Sequence, residues 1–330
     1  MVTFLSGGTG TPKLLSGIIG NEDVVVVGNT GDDIEIGNMI VCPDLDTVMY
    51  LFSGLLDRKK WWGVENDTFQ THKLLVEFAE KSGWNGEPQF LPEEDQIRGR
   101  KISRGRRFSR NSEFMKIGDI DRAVHNFRSS RIDSGDDLTE ITEKLCNMLG
   151  AEIELLPMSN DPVSSMILTE RGKMHFQSFW AGYKGKLKVK GVEYEGSKIA
   201  KPTEKVVNAL KNKVIIGPSN PVTSVGPIRS IKGIEKLLWK TKVVAVSPFI
   251  GDKTFSGPIK KLMESVGMVP NTSGFVDAYP FVDVFVIDSE DETKIDRPVV
   301  KTNIKMNCKA DSIRVYEACC EALENIDGDL

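Results

Sequence analysis

Histidine and cysteine are scarce in this chain: 330 residues hold 3 His and 5 Cys. With only His72, His125 and His175 available and no Gly-x-Ser-x-Gly elbow, a His-rich zinc site or a Ser/His/Asp triad has little support. The cysteines are odd in number, scattered and without a Cys-x-x-Cys pair, which argues against a disulfide framework. Long apolar runs are also missing. Val24–Val27 and Val243–Val246 are strand-sized, far below the roughly 20 residues a membrane span needs. A net charge of -4 argues against bulk nucleic-acid binding and leaves room for a local anion site. Met1–Leu5 runs directly into glycines without the basic flank and long apolar core of a secretory signal, so a cytoplasmic protein is expected.

What is present is a series of short β-rich runs that empty into polar, Gly- or Pro-rich loops. Val2–Leu5 leads into Ser6-Gly7-Gly8-Thr9-Gly10, and Val24–Val27 into Gly28-Asn29-Thr30-Gly31-Asp32-Asp33. Ile153–Leu156, Val214–Ile216, Val243–Val246 and Val284–Ile287 behave alike. Runs apolar on both faces and separated by helix-length segments are what a parallel sheet covered on both sides requires. The predicted fold is α/β: a doubly wound, Rossmann-like parallel sheet with an inserted small helical subdomain. Residues 1–46 and 151–330 form the core in this reading, and 47–150 the helical subdomain, with a basic insertion at about 82–112. That insertion carries Arg98, Arg100, Lys101, Arg104, Arg106, Arg107 and Arg110, a pattern that also suits a solvated loop. Met174–Trp180 and Lys186–Tyr194 predict a hairpin outside the main sheet.

In doubly wound sheets ligands bind beyond the carboxyl ends of the strands, so the polar loops are the candidate site. Gly7, Gly8, Thr9 and Gly10 precede Lys13, and bare backbone N–H groups with a lysine counter-charge suit a phosphate; a plain turn is the alternative. Lys13 stands where the dinucleotide fingerprint needs glycine, and no Gly-Lys-Ser/Thr ending makes a P-loop. Asn29, Asp32 and Asp33 sit in one loop, while Asp44 and Asp46 lie just before a helix. Their hard oxygens suit Mg²⁺, and helix capping is the competing role for Asp44 and Asp46. Asp121, His125 and Arg128 share one face of a helix beginning near Gly118, fit either for a polar substrate or for a surface ion-pair ladder. Gly217, Ser219, Asn220 and Thr223 make a donor-rich loop at a strand end.

Taken together, Ser6–Leu15, Pro43-Asp44-Leu45-Asp46-Thr47, Trp61–Thr68 and Gly217-Pro218-Ser219-Asn220-Pro221 resemble the 2-phospho-L-lactate transferase family, with Pro157–Ser164 and Ser247–Gly251 agreeing in the same order. The resemblance implies a homodimeric, Mg²⁺-dependent enzyme of coenzyme F-420 biosynthesis. Such an enzyme moves 2-phospho-L-lactate, or phosphoenolpyruvate in some members, from a guanosine diphosphate linkage to 7,8-didemethyl-8-hydroxy-5-deazariboflavin and releases GMP. It also implies Asp46 as the leading candidate for holding metal or the acceptor hydroxyl, with Asp44 and Asp33 beside it, and Lys116 as an acceptor-binding residue. Ile120 departs from the family pattern, which usually has arginine there. Two other classes remain: a nucleotide-sugar-binding regulatory protein of the same superfold, and an NAD-dependent oxidoreductase, which Lys13 opposes.

Overall fold

The computed structural model describes residues 1–20, 23–37, 39–83, 114–250, 253–254 and 258–328. In chain order the strands are β1 (Val2–Ser6), β2 (Val24–Gly28), β3 (Ile34–Ile36), β4 (Met39–Val41), β5 (Glu154–Pro157), β6 (Ser164–Thr169) and β7 (Gly172–His175). Then come β8 (Val189–Glu195), β9 (Lys213–Ile216), β10 (Val243–Val246), β11 (Phe249–Ile250), β12 (Lys253–Thr254), β13 (Val284–Asp288) and β14 (Val299–Thr302). Seven of them build one sheet in the order β14-β13-β10-β9-β1-β2-β5, with every neighbouring pair parallel. The chain lays down β1, β2 and β5 in one direction and then returns to place β9, β10, β13 and β14 on the other side. The order therefore reverses between β1 and β9, the topological switch point of a doubly wound fold.

The absence of polar alternation in these strands has a direct cause. Phe4, Val24, Val26, Ile215, Val244 and Val246 enter one buried cluster, while Leu5, Val25, Val27, Val214, Ile216 and Ala245 enter the cluster on the opposite face. Each such fully buried Val, Ile or Leu side chain contributes about 1.5–3 kcal/mol relative to exposure, so the inner strands are apolar on both faces. The edge strand β14 departs from this, alternating exposed Val299 and Lys301 with half-buried Val300 and Thr302.

Between β2 and β5 the chain forms α2 (Pro43–Phe52), α3 (Gln70–Lys81), α4 (Asp119–Asp133) and α5 (Leu138–Leu149), following α1 (Gly10–Leu15) after β1. This is the helical insertion of the fold. Leu45, Val48 and Met49 of α2 and Ile141 and Leu145 of α5 join the same apolar cluster as Phe4 and Val26 of the sheet. The insertion thus shares the core of one sheet face. The basic segment predicted at about 82–112 lies outside the described residues over 84–113, and Arg98–Arg110 with it.

Two local expectations are corrected. Met174–Trp180 and Lys186–Tyr194 do not pair with each other: β7 and β8 both pair antiparallel to β6, which is the middle of a three-stranded sheet. Phe176 and Phe179 are buried in the core, and Ser178–Gly182 closes into a π-helical turn that ends the strand early. The helix expected to follow Asp44 and Asp46 begins at Pro43, whose missing N–H costs nothing in the first turn, so both carboxylates lie inside that turn and not ahead of it. No described helix is long and apolar enough to cross a membrane.

Candidate functional site

The loops after β1 and β9 meet at the switch point and are interlocked. A Cβ on Gly10 would stand 1.9 Å from the Pro218 carbonyl oxygen, and one on Gly217 would stand 2.2 Å from Thr11 Oγ1. Ser219 Oγ donates to the Gly7 carbonyl at 2.6 Å and lies 2.7 Å from Thr11 Oγ1. Asn220 Oδ1 accepts from the Val222 N–H at 2.9 Å and so shapes its own turn, while Thr223 offers its carbonyl to Asn29 Nδ2 at 3.1 Å. Gly217 and Ser219 therefore hold the glycine loop in place, while Asn220 shapes the turn behind them and Thr223 anchors Asn29.

Asn29 joins this floor to the carboxylates. Its Nδ2 also donates to Asp44 Oδ2 at 2.8 Å, and its Oδ1 accepts the Gly31 N–H at 2.8 Å. The Gly8 N–H is the other donor to Asp44. Asp44 is buried, and desolvation pushes its carboxyl up to about 6. Asp32 is raised well above the ordinary carboxylate range by burial and by the nearby Asp44 charge, and Asp33 is raised by burial. Asp32 Oδ1 and Asp33 Oδ1 are buried without hydrogen-bond partners.

Asp46 has a different environment. Arg128 reaches both of its oxygens, through Nη1 to Oδ2 at 3.2 Å and through Nη2 to Oδ1. Asp46 Oδ2 also accepts from the Cys42 N–H at 3.3 Å, a capping contact at the start of α2. His125 Nδ1 lies 3.6 Å from Asp46 and its Nε2 lies 3.1 Å from Asp121 Oδ1, to which Tyr50 donates at 2.7 Å. Burial acts to raise Asp121, but His125, Tyr50 and Arg128 outweigh it and hold the carboxyl low. The face of α4 read as a possible surface ladder is thus buried against α2. Of these residues sequence reasoning missed Tyr50, which reads as one more apolar position of a helix, whereas Asp32 and Arg128 were already candidates through the loop shared with Asp33 and the i+7 spacing from Asp121.

Two lysines border the site. Lys13 is half-buried, desolvation lowers its pKa, and its ammonium sits 5.5 Å from the centre of the Trp61 ring with no carboxylate partner among the described residues. Lys116 is exposed, its Nζ 4.1 Å from the centre of the Phe69 ring.

Mg²⁺ takes oxygen ligands and usually one or two carboxylates, so the test of fit is which carboxylates lack a cation. Asp46, Asp121 and His125 converge within 4.8 Å, but the Arg128 guanidinium already occupies that group, touching Asp46 and lying 3.2 Å from His125 Nδ1. Asp44 and Asp32 are buried, adjoining and without a paired cation among the described residues. They fit the ion; Asp46 is compensated by Arg128.

Among the described residues, a lysine without a carboxylate and carboxylates without a cation gather from α1, α2 and the loop after β2 near the switch point of a doubly wound sheet, the place where α/β proteins of this class bind their ligands. The model of the family described as 2-phospho-L-lactate transferase CofD matches residues 2–325. A 2-phospho-L-lactate transferase of Haloarcula marismortui is 51% identical over 99% of this chain and 100% of its own length, and that of Halobacterium salinarum 47% over 100% of both. The Methanocaldococcus jannaschii 2-phospho-L-lactate transferase is 38% identical over 97% of each chain. A solved structure of a UPF0052 family member from Bacillus halodurans has the same fold, with a TM-score of 0.59 at 16% identity over 96% of this chain and 97% of that one. The chain belongs to the 2-phospho-L-lactate transferase family.

Proposed function

We propose that the chain transfers 2-phospho-L-lactate, or the enolpyruvate analogue, from a guanosine diphosphate-linked donor to the ribityl hydroxyl of 7,8-didemethyl-8-hydroxy-5-deazariboflavin. The product is a phosphodiester and the leaving group is GMP. The observation that carries this reading is the pair of unmet electrostatic needs: among the described residues Lys13 has no carboxylate partner, and Asp32 and Asp44 have no paired cation. A magnesium-bound phosphate anhydride satisfies both.

In this reading Lys13 and the backbone of the Gly7–Gly10 loop receive the donor phosphates, and Asp44 with Asp32 holds Mg²⁺. When bound, the ion neutralises phosphate charge as the anhydride breaks. Asp46 stays locked to Arg128 and, with His125 and Asp121, makes a stiff wall between α2 and α4 on which the acceptor hydroxyl is positioned. Lys116, exposed over Phe69, meets the acceptor at the rim. Phosphoryl transfer of this kind depends on in-line positioning and charge neutralisation more than on covalent catalysis, and the residues gathered here serve those two needs. The family resemblance further supports a homodimer in the cytoplasm that binds neither nucleic acid nor membrane.

Parallel incubations with the lactyl and enolpyruvyl guanylated donors, deazaflavin alcohol and Mg²⁺ test the reading by chromatography of GMP. Acceptor-dependent GMP release from one donor supports it and names the acid. GMP release from neither donor, with guanine nucleotide still bound, contradicts transfer.

A further inference from the structure

Among the described residues near the site, Trp61 has its backbone held against its own preference. Its φ is +61°, a left-handed conformation that bulky side chains avoid and asparagine tolerates. The surrounding loop enforces it. Asp57 N–H donates to the Gly63 carbonyl at 3.0 Å, and Trp61 N–H donates to the Asp57 carbonyl at 2.7 Å. Asp57 Oδ1 accepts from the N–H groups of Lys59 and Lys60 at 3.0 and 3.2 Å, and Leu56 bridges Val64 at the base. The constrained indole packs against the apolar cluster beside α1 and faces the ammonium of Lys13 at 5.5 Å.

We propose that the loop Asp57–Gly63 is a positioning device in which the strained Trp61 ring holds the Lys13 ammonium for the phosphates of the guanylated donor. This rests on the reading of Lys13 as the donor's counter-charge. A neutral π-face stabilises a cation without consuming its N–H donors, whereas a carboxylate would compete with the ligand for them. The ring also takes water from one side of Lys13, which strengthens its attraction to an anion. Trp62 serves as an internal control: it is exposed, and the cation over it is Lys60, which is already paired with Asp57.

The test uses the full chain and GDP as probe, with Trp61→Asn, Trp61→Phe, Trp62→Leu and Lys13→Met compared by titration and by steady-state kinetics on the guanylated donor. Asparagine accepts the left-handed backbone, so Trp61→Asn removes the ring while relieving the strain. The proposal expects Trp61→Asn to weaken GDP by about fivefold to thirtyfold and Trp61→Phe by about twofold, with Trp62→Leu near wild type. KM for the donor rises in step while kcat stays within about twofold, the mark of lost uniform binding. The difference between wild-type and Trp61→Phe emission should change on adding GDP, as the ammonium turns toward phosphate.

Trp61→Asn binding GDP like wild type while Lys13→Met binds weakly overturns the device alone. Equal weakening by Trp61→Asn and Trp62→Leu also overturns it, as general damage to the loop. Wild-type GDP affinity in Lys13→Met overturns the underlying role of Lys13 and the device with it.

Discussion

Asp44 and Asp46 stand two residues apart in one helical turn and carry opposite energetic signs. Asp46 compensates the buried Arg128 guanidinium, and removing one partner of such a pair strands the other. Asp46→Asn should lower stability by about 3–5 kcal/mol in urea unfolding, and adding Arg128→Met should recover part of the loss. Asp44 is raised from 3.8 to about 6, so the native state binds its proton more tightly and stability is lost as pH rises through that interval. Without Mg²⁺ at pH 7, Asp44→Asn should therefore stabilise the fold by ~1–2 kcal/mol, and Mg²⁺ should raise the melting temperature of wild type but not of this variant. His175 works in the other direction. Burial lowers it from 6.5 to about 3, so the unfolded chain binds the proton more readily and stability falls as pH drops through that window. Urea midpoints of wild type should decline below pH 6.5, and His175→Gln should flatten that part of the slope, by up to ~3 kcal/mol at pH 4.

At the scale of elements, α3 and α4 exchange caps. Asp67 accepts from the N–H groups of Ile120 at 2.9 Å and Asp121 at 3.0 Å, while Asp119 accepts from those of Gln70 at 2.9 Å and Thr71 at 3.0 Å. A Cβ on Gly118 would stand 2.0 Å from Asp67 Oδ2, which is why glycine precedes α4. This gives the family-like Trp61–Thr68 segment a structural task at its end as well as Trp61 at its start. Asp67→Ala should cost about 1 kcal/mol, with faster hydrogen exchange at the start of α4 and unchanged protection in the sheet strands. Such exchanges are hard to read from sequence because partners about 50 residues apart meet only after both helices form. The start of α2 was misplaced for a related reason: the apolar periodicity becomes regular only at Val48, whereas Pro43 already sets the first turn. The small β3–β4 hairpin was passed over although Ile34-Glu35-Ile36 alternates, its turn carrying Gly37 at a φ of +62°.

Over the whole molecule, strands buried on both faces announce themselves as apolar Val- and Ile-rich runs, so six strands of the central sheet were legible from composition and loop punctuation; the edge strand β14, partly exposed and carrying Lys301, was not. The gathering of the ligand loops at the carboxyl ends of the strands was implied by the class of fold, whereas strand order and the switch point between β1 and β9 were read only from the structure. The candidate site was legible as a set of loops, but not as a circuit. The family resemblance implied Asp46 and Asp44 as metal ligands; the structure shows their surroundings differ, Asp46 being paired with Arg128 and Asp44 lying beside Asp32. Charge compensation is a property of three-dimensional neighbours, so no periodicity could have assigned it.

The most direct test of the account is a mass-spectrometric balance of one reaction in wild type and in Asp44→Asn, with guanylated donor, deazaflavin alcohol and Mg²⁺. Wild type should yield one phosphodiester-linked deazaflavin per GMP released, and the folded Asp44→Asn protein should yield at most about one hundredth of that in the same time, the scale of losing one preorganised electrostatic group. No adduct from wild type with either donor, or an undiminished adduct from Asp44→Asn, would contradict it.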